Sequence, residues 1–202
     1  MKKTIACCLF LCFSFLFFTS FLTLNHPIAE KYKQGYYLEG TQKVEGYIYF
    51  SYDNYERFYF KKDLEDKKRV KKTVLECQGF FVDGKKFVVL KGLDLKIGIW
   101  NLEAEQAFAE AAIEGPLNLY KVYSMVGNGN MNAPGAIDVV NFFLEKNNSK
   151  AYVLAHPKKA KFKKAVSELL QDRADIVEKI QNGDYKIKNI EDMVKDYNNV
   201  KP

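Results

Sequence analysis

Histidine and cysteine are scarce. Among 202 residues there are two histidines, His26 and His156, and four cysteines, of which Cys7, Cys8 and Cys12 crowd the N-terminus. A Ser–His–Asp relay would have to use His156, and no G-x-S-x-G motif accompanies it. A zinc centre needs three or four ligands at defined spacing, which one histidine, one cysteine and scattered acids do not provide. Gly127 and Gly129 lack the third glycine and the following helix of a phosphate-binding loop, so 126–136 reads as a plain loop. No catalytic, cofactor-binding or metal-ligating residue is assigned, and no cofactor is implied. Cys77, the only cysteine beyond the N-terminal segment, reads as a small packed hydrophobe and excludes an internal disulfide in a chain without that segment. Trp100 is the single tryptophan. It is expected partly buried with its N–H bonded, with ligand stacking as the other reading. A dense arginine-rich face is also missing, which argues against nucleic acid.

What is present begins with a charged and then apolar N-terminus. Lys2 and Lys3 precede an apolar run from Ile5 to Leu24. That order reads as a secretory signal over residues 1–29, cleaved after Ser20 or Ala29. The run is also close to the roughly 20 residues that span a bilayer, so an uncleaved anchor over residues 5–24 is the alternative. Cys7 and Cys8 come too early for a lipoprotein site, and Cys12 follows Leu11 rather than a small residue. The expected location is exported, periplasmic or outer-envelope associated, with inner-membrane anchoring as the second possibility. Much of the phenylalanine excess belongs to this segment.

Without residues 1–29 the chain keeps 173 residues, and loss of Lys2 and Lys3 takes the formal net charge from +6 to +4. A chain of that length buries about 68–70% of its unfolded surface and needs no covalent staple. Its lysines alternate with acids, as in KKDLEDKKRVKK over Lys61–Lys72. Such a segment reads as a solvated strand edge or loop, where lysine also blocks unwanted strand pairing. A basic patch for anionic lipid or polysaccharide is the sharper alternative.

Residues 30–155 read as a β-rich domain and 156–202 as a C-terminal helical segment. Tyr, Phe, Val and Ile dominate the first, favouring half-buried pleated surfaces. Lys43–Tyr52 is a strand, Asp53-Asn54 a turn, and Glu56–Lys62 the returning strand. Asp83-Gly84 is the clearest hairpin signal, because a type I′ turn needs φ > 0 at both positions. Gly79 marks a bulge, and Lys96–Trp100 a further short strand. A second hairpin crosses Asn147-Asn148-Ser149. After His156-Pro157 the period changes. Phe162, Val166, Leu169 and Leu170 form one helical stripe. Asp172 or Asp175 caps a second helix ended by Gly183, and Asn189 caps a third bearing Ile190, Met193, Val194 and Tyr197. Five lysines between Lys158 and Lys164 crowd the start of the first helix, against its dipole. They form a solvated face or meet an anionic partner. The fold class is α+β: a mostly antiparallel sheet or partly open barrel of hairpins, then about three short helices packed on each other or on the sheet.

One stretch divides local and global readings. NLEAEQAFAEAAIEGP over Asn101–Pro116 has helix composition, with Asn101 to cap it and Gly115-Pro116 to stop it. The alternative is a pair of strands, Ala107–Glu114 and Leu117–Tyr123. Here a resemblance enters. GYYLEGTQKVEGYI (Gly35–Ile48), QGFFVDGKKF (Gln78–Phe87), FAEAAIEGPLNLYK (Phe108–Lys121), FFLEK (Phe142–Lys146) and the segment Lys161–Asn198 occur in an order that resembles an uncharacterised family of secreted proteins of Bacteroidetes-type bacteria. The resemblance implies a strand before Gly115-Pro116, although Ala109, Ala111 and Ala112 depart from the Val- and Leu-rich pattern. It implies no activity.

The leading expectation is therefore an exported, envelope-associated binding or interaction protein, non-enzymatic, whose partner is an envelope protein or glycan. A hydrolase using Glu110, Glu114 or His156 is the first alternative. Paired carboxylates are assembled in three dimensions, and the two glutamates share a face in a helix or in a regular strand. A surface protein held by residues 5–24 is the second.

Overall fold

The computed structural model describes residues 31–51, 54–97, 102–127 and 136–199. Trp100, His26, Asp53 and most of the 126–136 loop lie outside these residues, as does the N-terminal segment.

Among the described residues ten strands form one antiparallel sheet. In chain order they are β1 (Lys33–Glu39), β2 (Gln42–Tyr49), β3 (Arg57–Lys61), β4 (Val70–Thr73), β5 (Gly79–Val82), β6 (Lys85–Ile97), β7 (Leu102–Ile113), β8 (Leu117–Gly127), β9 (Ala136–Lys146) and β10 (Tyr152–Ala155). Their order across the sheet is β10-β9-β8-β7-β6-β5-β1-β2-β3-β4. Three helices follow: α1 (Lys159–Leu169), α2 (Ala174–Asn182) and α3 (Ile190–Asn198). This is the expected α+β class.

The sheet curls into a partly open barrel. Lys72 of β4 reaches Glu39 of β1 at 3.3 Å, across the two intervening strands β2 and β3. The Phe58 ring of β3 lies 5.6 Å from that of Phe108 in β7. Tyr55 O accepts from Phe108 N at 2.7 Å, which brings the β2–β3 connection against β7.

Strand alternation gives the sheet two usable faces. Phe87 and Phe108 join Phe58 and Phe80 in an aromatic core. Leu90, Ala107 and Ala109 point the other way and pack with Tyr120, Val122 and Phe143. A third core lies between sheet and helices. Leu117, Leu119 and Leu144 meet Val166, Leu170, Ile176, Met193 and Val194, all fully buried. The helices thus bury their stripes on the sheet and on each other.

The turn Asp83-Gly84 has φ of 53° and 73°, as a type I′ hairpin requires. From Gly79 onwards β5 shows no register shift against β1 or β6. Glycine is needed there because a Cβ would lie 2.3 Å from Phe87 O. A register shift falls in β6 between Lys91 and Leu95, with Gly92 at φ 72°. Lys96 and Ile97 belong to the end of that long strand rather than to a separate one.

Leu102–Ile113 is a strand and not the helix its composition favours. Its alanines fit strand positions packed on both faces: Ala107 and Ala109 are fully buried and Ala112 packs against the helix-side core. Larger residues would push neighbouring layers apart. The helix caps also differ from expectation. Arg173, without a side-chain cap bond, precedes α2. Asp172 instead accepts from Tyr197 Oη at 2.8 Å and pairs with Lys146, and Asp175 pairs with Arg173. Asn189 precedes α3, but its amide bonds Lys186 N and Asp184 O outside the helix. Gly183 ends α2 at φ 87°, as expected.

Candidate functional site

The residues that chemistry singled out in the sequence do not converge. Glu110 is buried, accepts from Tyr123 Oη at 2.7 Å and pairs with Lys85 at 2.9 Å. Glu114 is exposed and pairs with Lys86. Lys85 and Lys86 are successive residues of β6 and leave it on opposite faces. The register shift between Ala111 and Ile113 breaks the alternation that would have put the two glutamates side by side. His156 Nδ1 accepts from Lys158 N at 2.9 Å. Burial, then Lys161 and Lys158, hold its pKa below the ordinary histidine value. Glu110, Glu114 and His156 are each held by different neighbours among the described residues. Cys77 is buried, and burial pushes its thiol up to about 11, so it stays protonated and packed.

Another carboxylate is more deeply buried and held by three hydrogen bonds. Glu145 is 3% exposed. Its oxygens accept from Asn118 Nδ2 at 2.9 Å, Tyr120 Oη at 2.8 Å and Lys150 N at 2.7 Å. Burial alone would raise its pKa, but these bonds outweigh burial and hold the carboxyl below 4.5. Asn147, Asn148 and Lys150 all take positive φ in the turn beside it. The network clamps that hairpin and keeps the carboxylate buried.

An unsatisfied group lies elsewhere, where β7 loses its neighbour. β8 pairs with β7 from Leu119 to Lys121, opposite Ile113 to Glu110, and from there to Gly127 pairs with β9 alone. The N-terminal part of β7 is left with β6 on one side only. Phe108 N points to that open side, since it donates to Tyr55 O. Backbone groups of alternate residues share a direction, so those of Gln106 and Ala104 face the same way. A cleft of about 380 Å³ lies there, lined by Glu56, Arg57, Lys71, Thr73, Val74, Leu75, Ala104, Glu105 and Gln106. Gln106 Oε1 is buried and has no hydrogen-bond partner among the described residues. An orphaned acceptor of this kind costs about 1–3 kcal/mol. Leu75, a large apolar side chain on the cleft wall, is 80% exposed. Val70–Thr73 is also the outer strand of the sheet, so Lys71 and Lys72 guard an edge as expected.

Sequence reasoning had no route to Gln106. Its significance depends on where β8 departs, and no local pattern marks that point.

Comparison with known protein families, with curated proteins and with solved structures finds no match. The ordered segments that suggested a secreted family therefore bring no activity to this chain.

Proposed function

We propose that the chain is an exported, non-enzymatic binding protein of the bacterial envelope that holds an extended segment of a partner polypeptide along the open edge of β7. The observation that carries this reading is the orphaned Gln106 Oε1 beside the unpaired backbone of Ala104 and Gln106. An added strand supplies main-chain donors and acceptors in the direction those groups face, and its alternate side chains fall into flanking pockets. Leu75 offers an apolar contact, and Arg57, Lys71, Glu56 and Glu105 offer charges of both signs at the rim. Export is supported by the Lys2-Lys3 and Ile5–Leu24 pattern.

Selection of displayed peptides against the purified chain, followed by amide hydrogen exchange, tests the site. Bound peptides should slow exchange at Ala104 and Gln106. Gln106→Leu removes the orphaned oxygen, so it should leave the free protein as stable or more stable while weakening peptide binding. Peptides that bind without protecting those amides, or that bind Gln106→Leu equally, remove the reading. Recovery of the protein wholly from the cytoplasmic fraction removes the export part, and the mass of the mature N-terminus separates cleavage from anchoring.

A further inference from the structure

Two of the lysines that crowd α1, Lys159 and Lys163, line an apolar hollow formed by the helical segment. The hollow has a volume of about 260 Å³. Phe162 and Tyr185, both buried, and the half-buried Ile187 form its floor, and Pro157 closes one side. Four lysines stand around it: Lys159, Lys163, Lys186 and Lys188. Lys163 Nζ donates to Gln181 O. The ammonium groups of Lys159, Lys186 and Lys188 have no carboxylate or hydrogen-bond partner among the described residues, whereas Lys72, Lys85, Lys86, Lys121, Lys146 and Lys179 are ion-paired. The N-terminus of α1 adds to the same field, with no acid in its first turn and no side-chain cap. Unpaired positive charge around an apolar floor is the complement of one ligand chemistry, an alkyl chain ending in an anionic head. Lysine stems extend the apolar wall while their ammonium groups remain at the mouth.

We propose that this hollow binds the chain of a single anionic amphiphile, with its carboxylate or phosphate at Lys159, Lys186 and Lys188. The volume falls just below the roughly 300–1,000 Å³ of small-molecule pockets, so it takes one chain and not a lipid with two. The site is separate from the β7 edge and stands whether or not a peptide binds there.

Calorimetric titration of the purified full chain with dodecanoate, below its aggregation concentration, tests the proposal. Saturable one-to-one binding is expected, with dodecyltrimethylammonium failing to bind. Lys159→Glu with Lys188→Glu should weaken dodecanoate binding by about tenfold, because two exposed attractions become repulsions. Lys33→Glu with Lys195→Glu makes the same change in net charge away from the hollow and should alter affinity by less than about twofold, since salt screens distant charges. Circular dichroism checks that both variants fold. Equal binding of the cationic amphiphile, equal weakening by the two double variants, or binding only to aggregates or to phosphatidylglycerol vesicles overturns the proposal.

Discussion

In β1–β6, burial is the work of rings. Phe80 lies 4.5 Å from Phe58 and from Phe87, and 5.1 Å from Phe108, centroid to centroid. No helix covers this cluster among the described residues. In β7–β9 the helix-side core is built from Leu117, Leu119 and Leu144 against Val166, Leu170, Ile176, Ile180 and Met193, with rings only towards its margin. The difference follows from the number of layers. A sheet that curls on itself must fill its hollow from its own side chains, and a ring of about 150–250 Å² reaches across it. Where helices supply a second layer, branched aliphatic chains on both sides meet halfway. The two halves therefore differ in how freely they can relax around a loss.

That contrast is open to direct challenge. Phe80→Ala should cost about 3–5 kcal/mol in urea unfolding, because the curled strands cannot close around the missing ring. Leu170→Ala, under a helix that can settle inwards, should fall near the low end of the roughly 2–5 kcal/mol range for such truncations. A larger loss for Leu170→Ala would break the comparison. Glu145→Gln places an amide donor where three donors already converge and should cost about 1–3 kcal/mol at neutral pH. The folded carboxyl lies below its ordinary value of 4.5, so its contribution is present above that pH and is lost as pH falls through the folded value. Stability curves of the wild type and Glu145→Gln should therefore converge at acid pH, and a constant gap would show that the carboxylate charge is irrelevant. Asn198→Ala removes two bonds to Leu117, with loss of about 1–2 kcal/mol confined to the helix-covered half and visible as faster exchange in α3. The smallest effect belongs to Lys86→Ala. Its pair with Glu114 is exposed on both sides, and thermal melting should shift by an amount equivalent to less than about 0.5 kcal/mol.

Much of the fold was written locally. Asp83-Gly84 could serve only a tight hairpin, and the 3.6-residue stripe of Phe162, Val166 and Leu170 could serve only a helix lying on something apolar. Leu102–Ile113 was not legible from its own residues. Alanine and glutamate favour a helix in isolation, and the strand wins because Ala107 and Ala109 must fit beneath Tyr120 of β8 and Phe143 of β9. Segment order suggested the strand where propensity did not. Of the two surface sites, the lysine-rimmed hollow was half visible, since five lysines at a helix start demand a reason. The β7 edge was invisible, because it is created by the path of β8.

One contact sets a schedule. Asn198 grips the backbone of Leu117 through both ends of its amide, at 2.9 Å each way and 81 positions later in the chain. Gly115 leaves room for it, since a Cβ there would lie 2.7 Å from the Asn198 amide. Strands β7 and β8 can meet as soon as they are made, but the turn between them is not locked until α3 exists. A contact of such sequence separation costs loop-closure entropy, so this lock is expected to form late in folding, which amide exchange pulsed during refolding checks. A peptide extension fused directly after Asn198 would sit beside this lock, whereas one joined ahead of β1 would leave the order of events unchanged.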